Sequence, residues 1–401
     1  MWYAMASNQR AGGMRIGTMI IQSNRVREIS GLALRVWALA LLLFATNAFG
    51  QTPVIQELPP PPPPKPTPTP TPTPTVFDEK DVEVVRVTSN FVMVPVSVTD
   101  TTGQPVTGLR VEDFRLEEEG RQQEIAQIGD PDQVPLDIAI LFDVSSSVSE
   151  RYQFQQQAAA RFLKQVMKPA DRAAVFAIRD QPVLEQPLAP AAAAAAKLLT
   201  IPAATGPTPT AFYDSIIRAA QYLEKNAPGS HRRVILVISD GEDNFSERIR
   251  ASAIAEYEAI SKAATESEKE KARVARRNTQ QELHRKAVLE VQREVQGADV
   301  VFYSINPTGP SFRLNEISTR AEEGMERLAE ATGGTSFVPE KTEDLEAVFR
   351  QIAAELRSQY LLQYYSKDQS ASGKFLRIKV NVPTRSQLRV RARQGYYSKR
   401  Q

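Results

Sequence analysis

The sequence predicts an α/β fold: a doubly wound, mostly parallel sheet with helices on both faces. Apolar strand candidates alternate with helical segments from residue 135 to residue 345, an order typical of parallel strands joined by crossover helices. The candidate Ile138–Phe142 is an unbroken apolar run, as expected for a strand that is buried on both faces. It ends at Asp143, and ligands of open α/β sheets bind at the carboxyl ends of the strands. The fold therefore predicts a site at that edge of the sheet.

The individual elements follow from the same pattern. The predicted strands are Ile138–Phe142, Ala173–Ile178, Val234–Ser239, Val300–Ile305 and a shorter one at Ser336–Val338. The predicted helices are Tyr152–Met167, Ala191–Leu199, Phe212–Lys225, Ile317–Ala331 and Leu345–Leu356. Pro190 stands directly before the second helix, where the start of a helix tolerates proline. These elements place an α/β domain at residues 132–357.

Two β-rich segments flank this domain, at residues 80–131 and 358–401. The candidate strands before the domain are Val82–Val87, Phe91–Val98, Val111–Leu116 and Arg121–Ile125. Those after it are Tyr360–Tyr365, Phe375–Val380, Leu388–Ala392 and Gly395–Tyr397. We expect strands from both flanks to join in one small β-sandwich-like unit, whose residues suggest no chemistry.

The composition limits the function classes. The chain has 401 residues and a net charge of +2, so it carries no strong basic field for nucleic acid. It contains no cysteine, which excludes disulfides, thiol catalysis and thiolate metal sites. Its two histidines are His231 and His284, and a zinc site or a Ser-His-Asp triad would have to use one of them.

The first 50 residues have the features of a signal peptide. The apolar run Val36–Ala45 follows Arg25, Arg27 and Arg35, and Ala48-Phe49-Gly50 supplies the small residues of a cleavage site. The run is short for a membrane span, and an uncleaved membrane anchor is the alternative.

Residues 51–79 form a Pro/Thr-rich linker that favours extended polyproline II structure. We favour a spacer over an SH3-type ligand for this linker.

A long polar segment interrupts the α/β domain at residues 246–297. From residue 251 to residue 296 there is no Gly or Pro, and Glu, Lys, Arg, Gln and Ala favour a helix. Leu283, Ala287, Val291 and Val295 recur at a spacing of four and are expected to pack on the sheet. The favoured interpretation is a solvated helix or helical hairpin. A coiled-coil or partner-binding arm is the alternative.

The residues after the first strand have the chemistry of a cation site. Asp143, Ser145 and Ser147 place one carboxylate and two hydroxyls at alternate positions, and Mg²⁺ prefers such oxygen ligands. The pattern is short, and a helix N-terminus capped by Ser147 or Ser149 is the alternative. A second apolar strand ends at Asp240, which a parallel sheet is expected to bring beside Asp143.

In these motifs the chain resembles the von Willebrand factor type A domain, and specifically its exported bacterial, acidobacterial-type form. The resemblance covers residues 80–400 and is carried by the Asp-x-Ser-x-Ser motif at Asp143, the loop Gly206–Asp214 and the strand end Ser239-Asp240-Gly241. It implies a metal-ion-dependent adhesion site formed by Asp143, Ser145, Ser147, Thr210 and Asp240. Thr208 is the less favoured substitute for Thr210. The long insertion after Asn244 departs from the usual pattern of the family.

The resemblance implies binding rather than catalysis. Few direct negative charges would leave a bound Mg²⁺, or Mn²⁺ or Ca²⁺ in its place, able to accept a carboxylate from a protein partner. The resemblance and the N-terminal segment together imply an exported protein, periplasmic or extracellular, without nucleic acid or a stable membrane span after signal cleavage.

Two other functions stay open at this point. One is a scaffold module of the cell envelope with no metal-dependent binding. The other is a hydrolase that uses Ser145 or Ser147 as its nucleophile, which would need a base within hydrogen-bond reach. The sequence has no Gly-x-Ser-x-Gly elbow, and His231 is expected at the far end of its strand.

Overall fold

The fold is that of a computed structural model, which describes residues 90–145, 152–206, 208–247, 249–250, 258, 261–262, 265–310, 316–368 and 372–398. The strands before residue 200 are β1 (Phe91–Thr99), β2 (Arg115–Glu118), β3 (Arg121–Gln123), β4 (Ile125–Gly129), β5 (Leu136–Asp143), β6 (Arg172–Ile178) and β7 (Val183–Ala189). The later strands are β8 (Arg232–Ile238), β9 (Val300–Ile305), β10 (Ser336–Phe337), β11 (Tyr360–Tyr365), β12 (Phe375–Asn381), β13 (Arg389–Ala392) and β14 (Gly395–Tyr397). The helices are α1 (Tyr152–Val166), α2 (Ala191–Leu198), α3 (Phe212–Asn226), α4 (Glu266–Gly297), α5 (Glu316–Thr332) and α6 (Leu345–Ser358).

The central sheet confirms the predicted α/β fold. Its six strands lie in the order β10-β9-β8-β5-β6-β7, and all neighbours are parallel except β6 and β7. Strand β5 is buried at every position, since it has a strand on each side and helices on both faces. Strand β7 is an antiparallel edge strand that the sequence analysis did not predict. Its Pro187 fits an edge, because proline cannot donate a hydrogen bond to a neighbouring strand.

Alternate side chains of β5 supply the cores on the two faces of the sheet. Ile138, Ile140 and Phe142 pack with α1, α2 and α6 on one face. Ala139 and Leu141 pack with α3, α4 and α5 on the other. Each fully buried Leu, Ile or Phe side chain stabilises the fold by about 1.5–3 kcal/mol. These two layers therefore hold the carboxyl end of β5 in a fixed position.

Two further sheets form a β unit beside the central sheet. Their strand orders are β13-β1-β11-β4 and β14-β12-β2-β3. Strand β1 pairs with both β11 and β13, so segments from before and after the central sheet share one sheet. Val94, Val96, Leu116 and Leu362 are fully buried in the core of this unit. The domain limits given above stay predictions.

The polar segment after β8 contains the helix α4. This helix begins with a capping box, in which Thr265 Oγ1 accepts a hydrogen bond from Glu268 N (3.2 Å) and Glu268 Oε2 accepts one from Thr265 N (3.0 Å). Only its second half packs on the domain. Ala287, Val291 and Val295 of the predicted stripe are buried there. The first half is exposed at almost every position, as expected for a solvated helix.

Two predicted strands differ from the structure, and other predictions lie outside the described residues. The predicted strand Arg121–Ile125 is divided at Glu124 between β3 and β4. Val111–Leu116 was expected to be a strand, but Val111–Asp113 form a 3-10 turn and β2 starts at Arg115. Asp113 Oδ2 accepts a hydrogen bond from Arg110 N (2.8 Å), which favours a turn over an extended chain. The strand Val82–Val87, the signal peptide and the linker lie outside the described residues. Among the helices of the described part, none is long and apolar enough to cross a membrane.

Candidate metal centre

The register of the central sheet brings two strand ends together. Phe142 of β5 is paired with Ile238 of β8, so the chain leaves both strands at the same level of the sheet. The next residues are Asp143 on one strand and Ser239 and Asp240 on the other. All three are buried, and Asp143 is only 1% exposed.

Asp143 is fixed by hydrogen bonds to both loops. Its Oδ1 accepts a bond from Ser145 N (2.8 Å), and its Oδ2 accepts one from Ser239 Oγ (2.6 Å). Burial nevertheless raises the pKa of Asp143 to about 6, and repulsion from the Asp240 carboxylate adds to the shift. Neither carboxylate forms an ion pair with a described Lys, Arg or His. The strand ends therefore carry two buried acidic groups that have no ion-pair partner within the described residues.

The loop that carries Asp240 is held against helix α5. Gly241 has a φ of 77°, and a Cβ at this position would lie 2.8 Å from Met325 Cε. Asp240 Oδ1 accepts a hydrogen bond from Glu242 N (3.1 Å), and Glu242 Oε1 accepts one from Ser318 Oγ (2.5 Å). Any other residue at position 241 would be strained by the positive φ, and its Cβ would displace the flexible end of the Met325 side chain.

The loop before α3 joins the same site. Ala211 N donates to Arg179 O (2.7 Å), just after the end of β6, which brings this loop over the sheet edge. Asn244 Oδ1 accepts a hydrogen bond from Thr210 N (2.8 Å), and Asn244 N donates to Thr210 O (3.1 Å). Thr210 is buried, whereas Thr208 is exposed. The hydroxyl of Thr210 makes no hydrogen bond within the described part of the chain.

A further carboxylate, Asp243, was missed by the sequence analysis. Its Oδ2 accepts hydrogen bonds from Tyr213 N (2.8 Å) and Ser246 Oγ (2.5 Å), and its Oδ1 accepts them from Phe245 N (3.1 Å) and Ser246 N (2.9 Å). Burial raises its pKa, while these hydrogen bonds oppose the shift. Because four donors already occupy its oxygens, Asp243 caps α3 and fixes the loop after β8. No spacing in the sequence indicates this cap, because Tyr213 and Asp243 are thirty residues apart.

Ser239 is the second functional residue that the sequence analysis did not single out. Its fully buried hydroxyl donates to Asp143 and accepts a hydrogen bond from Gly241 N (3.0 Å). Ser239 thus couples the orientation of the Asp143 carboxylate to the turn that carries Asp240.

The structure places four of the five predicted ligands. Asp143, Ser145, Thr210 and Asp240 are buried on loops that leave the same edge of the sheet. Ser147 lies outside the described residues. Their role in metal binding stays a prediction.

The donor set fits a hard cation. Carboxylate and hydroxyl oxygens are the ligands of Mg²⁺, Mn²⁺ and Ca²⁺, and Mg²⁺ needs only one or two carboxylates because it keeps several waters. Within the described residues no group of three or more His, Asp or Glu side chains is arranged to hold a metal ion. The feature that a cation would satisfy is the pair of buried carboxylates, Asp143 and Asp240, which have no described ion-pair partner.

The two histidines bind other partners. His231 Nδ1 lies 2.8 Å from Asp137 Oδ2, at the amino end of β5 and so at the opposite edge of the sheet from Ser145. His284 Nδ1 lies 3.3 Å from the hydroxyl of Tyr213. Burial lowers the pKa of His284 to about 4, and Arg320 adds to the shift. Each histidine thus has a hydrogen-bond partner that is not a serine.

The chain contains a member of a known family of domains. Residues 138–242 match the family model described as the von Willebrand factor type A domain. Residues 138–242, which include β6, α3 and β8, therefore belong to a von Willebrand factor type A domain, the class predicted from the motifs. The acidobacterial-type form stays a prediction. Among curated proteins, none matches the chain.

Several solved structures match this chain at low similarity. Proximal thread matrix protein 1 from the mussel byssus, with a zinc-occupied MIDAS motif, is 15% identical over 60% of this chain and 49% of that chain, with a TM-score of 0.37. The vWF domain of the type V pili tip protein Mfa5 from Porphyromonas gingivalis is 12% identical over 55% and 94%, with a TM-score of 0.37. A von Willebrand factor type A protein from Catenulispora acidiphila is 11% identical over 74% and 70%, again with a TM-score of 0.37. This chain thus spans about half the length of the mussel protein, and no function follows from likenesses of this degree.

Proposed function

We propose that this protein binds a divalent cation, first of all Mg²⁺, at a metal-ion-dependent adhesion site and thereby binds a protein partner. The observation that carries the proposal is the buried pair of carboxylates, Asp143 and Asp240. Burial, and then repulsion from Asp240, raises the pKa of Asp143 to about 6, and no described basic side chain forms an ion pair with either carboxylate. A charge arrangement of this kind is costly in the absence of a cation.

Five residues would hold the ion. The hydroxyl groups are those of Ser145, Ser147 and Thr210, and the carboxylates are those of Asp143 and Asp240. The free hydroxyl of Thr210 supports its role, as does its burial beside the Asp240 loop. Ser239 would act as a positioning residue, because it holds the Asp143 carboxylate in one orientation.

The partner would offer an acidic side chain. A bound cation supplies positive charge and a remaining coordination position for an oxygen from outside the chain. The protein itself contributes two carboxylates at most, so an added carboxylate is not strongly repelled. We infer a binding function rather than a catalytic one, since His231 lies at the opposite edge of the sheet from Ser145.

We also propose that the protein is exported from a bacterial cell. This proposal rests on the N-terminal sequence, in which arginines, an apolar run and small residues have the order of a signal peptide. Cell fractionation that found the mature chain in the cytoplasm would contradict it.

Calorimetry tests the metal centre directly. Mg²⁺, Mn²⁺ and Ca²⁺ are titrated separately into protein treated with EDTA and dialysed. We expect saturable binding of one ion per chain and its loss in Asp240→Asn. Asp130→Asn, an exposed change at another part of the chain, is the matched control and should bind like the wild type. No binding of any of the three ions would overturn the proposal and favour a scaffold role.

A pulldown then tests the partner. Wild type and Asp240→Asn are used as baits for an envelope fraction, each with Mg²⁺ and with EDTA. The proposal expects a partner that is retained only by the wild type and only with Mg²⁺. Equal retention in all four conditions would show that the partner does not use the metal centre.

A further inference from the structure

One sheet of the β unit turns a polar face away from the core of that unit. In the sheet β14-β12-β2-β3, Leu116 and Ile378 point into the core. Because side chains alternate along a strand, their neighbours point outward. The register of the strands places these outward residues side by side: Phe375, Arg377 and Lys379 of β12, Tyr397 of β14, and Arg115 and Glu117 of β2. We call this surface the outer β face.

An aromatic ring lies over part of the outer β face. A Cβ at Gly395 would lie 2.4 Å from Phe375 Cζ, so the Phe375 ring reaches across to β14 and covers the backbone of Gly395. The rings of Phe375 and Tyr397 are neighbours, with centroids 5.1 Å apart. Phe375 is only half-buried, so the side of its ring that is turned away from Gly395 is open to solvent. The face thus presents an aromatic platform.

Positive charge is in excess around this platform. Glu117 forms an ion pair with Arg115 (2.8 Å), and Glu119 forms one with Arg377 (3.3 Å). Lys379 is exposed and forms no ion pair with a described carboxylate. The sequence from residue 369 to residue 401, which supplies β12 and β14, has nine Lys and Arg residues and no Asp or Glu. These strands therefore supply no acidic residue that would balance Lys379.

Helix α4 adds a second unpaired cation. Arg293 is exposed, and its guanidinium carbon lies 5.9 Å from the centroid of the Tyr397 ring, within the range of a cation–π contact. It forms no ion pair with a described carboxylate. Lys379 is four residues from Phe375 along β12, a distance of about 13 Å. Two unpaired positive charges thus lie near the rings, one beside Tyr397 and one farther along β12.

We propose that the outer β face binds an acidic polysaccharide, a chain of sugars that carry carboxylate groups. The apolar C–H side of a sugar ring packs on the face of an aromatic ring, which carries partial negative charge, and Phe375 offers such a face. Carboxylates of the sugar chain would pair with Lys379 and Arg293 by charge complementarity. Two amides, those of Gln122 and Asn381, lie in the same cross-strand rows as Glu117 and Arg115 and would bind sugar hydroxyls.

The same features disfavour other anionic polymers. Single-stranded nucleic acid binds to grooves of continuous positive charge that follow its backbone, whereas Glu117 and Glu119 stand among the cations here. A membrane surface binds large apolar faces, and apart from Phe375 and Tyr397 the outward residues are polar. A polysaccharide combines widely spaced charge with sugar rings that stack, and it matches both properties of the face.

A binding measurement with a defined acidic sugar tests the proposal. A fluorescent oligogalacturonate is titrated with the full chain, and EDTA is present throughout so that sugar carboxylates cannot bind through a metal ion at the other site. We expect saturable binding that is at least about tenfold weaker for the same oligomer after methyl esterification of its carboxylates. The double variant Lys379→Gln/Arg293→Gln should bind the acidic oligomer about tenfold more weakly than the wild type. Lys164→Gln/Arg218→Gln removes the same two kinds of charge from exposed positions on α1 and α3 and should bind like the wild type.

Several results would overturn the proposal. These are no binding by the wild type, equal binding of the acidic and the esterified oligomer, or equal losses in the two double variants. Tighter binding of an oligothymidylate, or of phosphatidylglycerol vesicles, would show that the face serves nucleic acid or a membrane instead. None of these results bears on the metal centre, because EDTA is present in every titration.

Chemical coupling locates the sugar on the wild-type protein without any variant. A carbodiimide joins sugar carboxylates to lysine amines that lie next to them, and peptide mapping identifies the coupled lysines. We expect Lys379 to be the main site of coupling and an excess of free galacturonate oligomer to suppress it. Coupling confined to lysines outside the outer β face would refute binding there.

Discussion

The carboxylate pair of the metal centre predicts an unusual response to the substitution Asp143→Asn. The pKa of Asp143 is raised from 3.8 to about 6 in the metal-free fold, mainly by burial and then by Asp240. The folded state therefore binds the proton more tightly than the unfolded state, and the stability of the metal-free protein falls as pH rises from about 4 through about 6. A shift of two units costs about 3 kcal/mol above that range. Asparagine carries no charge and removes this cost.

The expected changes in stability and in Tm follow from this electrostatic cost. In EDTA at pH 7.5, Asp143→Asn should stabilise the protein by about 1–3 kcal/mol, since the amide does not reproduce every hydrogen bond of the carboxylate. For a domain of this size, that corresponds to a rise in Tm of about 5 °C. At pH 4 the two proteins should differ little. With Mg²⁺ at one hundred times its dissociation constant, the wild type should gain about 2.7 kcal/mol and the variant nothing.

Thermal unfolding of both proteins, with EDTA or Mg²⁺ at pH 4 and pH 7.5, measures these effects. The prediction is a reversal: the variant is the more stable protein without metal and loses its advantage when Mg²⁺ is added. If Asp143→Asn is less stable than the wild type in EDTA at pH 7.5, the repulsion inferred from the structure is wrong. If the variant gains as much from Mg²⁺ as the wild type does, Asp143 is not a ligand.

Three other predictions follow from the loops and from α4. Thr210→Val should weaken Mg²⁺ binding at least about tenfold in calorimetry, because it removes one hydroxyl ligand and changes the side-chain volume little. Thr208→Val should bind Mg²⁺ like the wild type. The opposite result for the two variants would make Thr208 the ligand. Asp243→Ala should lower the free energy of unfolding in urea by about 2–4 kcal/mol, since it removes the acceptor of Tyr213 N and of the backbone and side-chain donors of Ser246. A loss below about 1 kcal/mol would contradict its capping role. The pKa of His284 is about 4 in the folded protein and 6.5 in the unfolded protein. Because the unfolded protein takes up the proton first, the free energy of unfolding should fall as pH drops from about 6.5 to about 4. His284→Gln should flatten this dependence by about 2 kcal/mol after discounting for partial exposure, and parallel stability curves for the two proteins would show that His284 is not its source.

The parts of the fold that sequence reasoning could predict are those with strong periodicity. The apolar runs of β5, β8 and β9 have only one stable position, in the middle of a sheet with helices on both faces. Parallel pairing in register then places residues 143 and 240 at one edge. The edge strand β7 has no such signal, because none of its positions is buried and Pro187 interrupts its apolar residues.

The hydrogen bonds of the site were less accessible from the sequence. Asp243 caps a helix that starts about thirty residues earlier in the chain, and Ser239 acts on a carboxylate of another strand. Such contacts depend on how the loops fold over the sheet edge, which residue types and spacing do not specify.

The pairing of β1 with β11 and β13 has a consequence for synthesis. Strand β1 is made early, but its partners are residues 360–365 and 389–392. While a ribosome translates the intervening 250 or so residues, an apolar strand with two open edges has to be kept from pairing with other chains. Premature stop codons ahead of β11 should therefore yield aggregating products rather than a functional shorter protein.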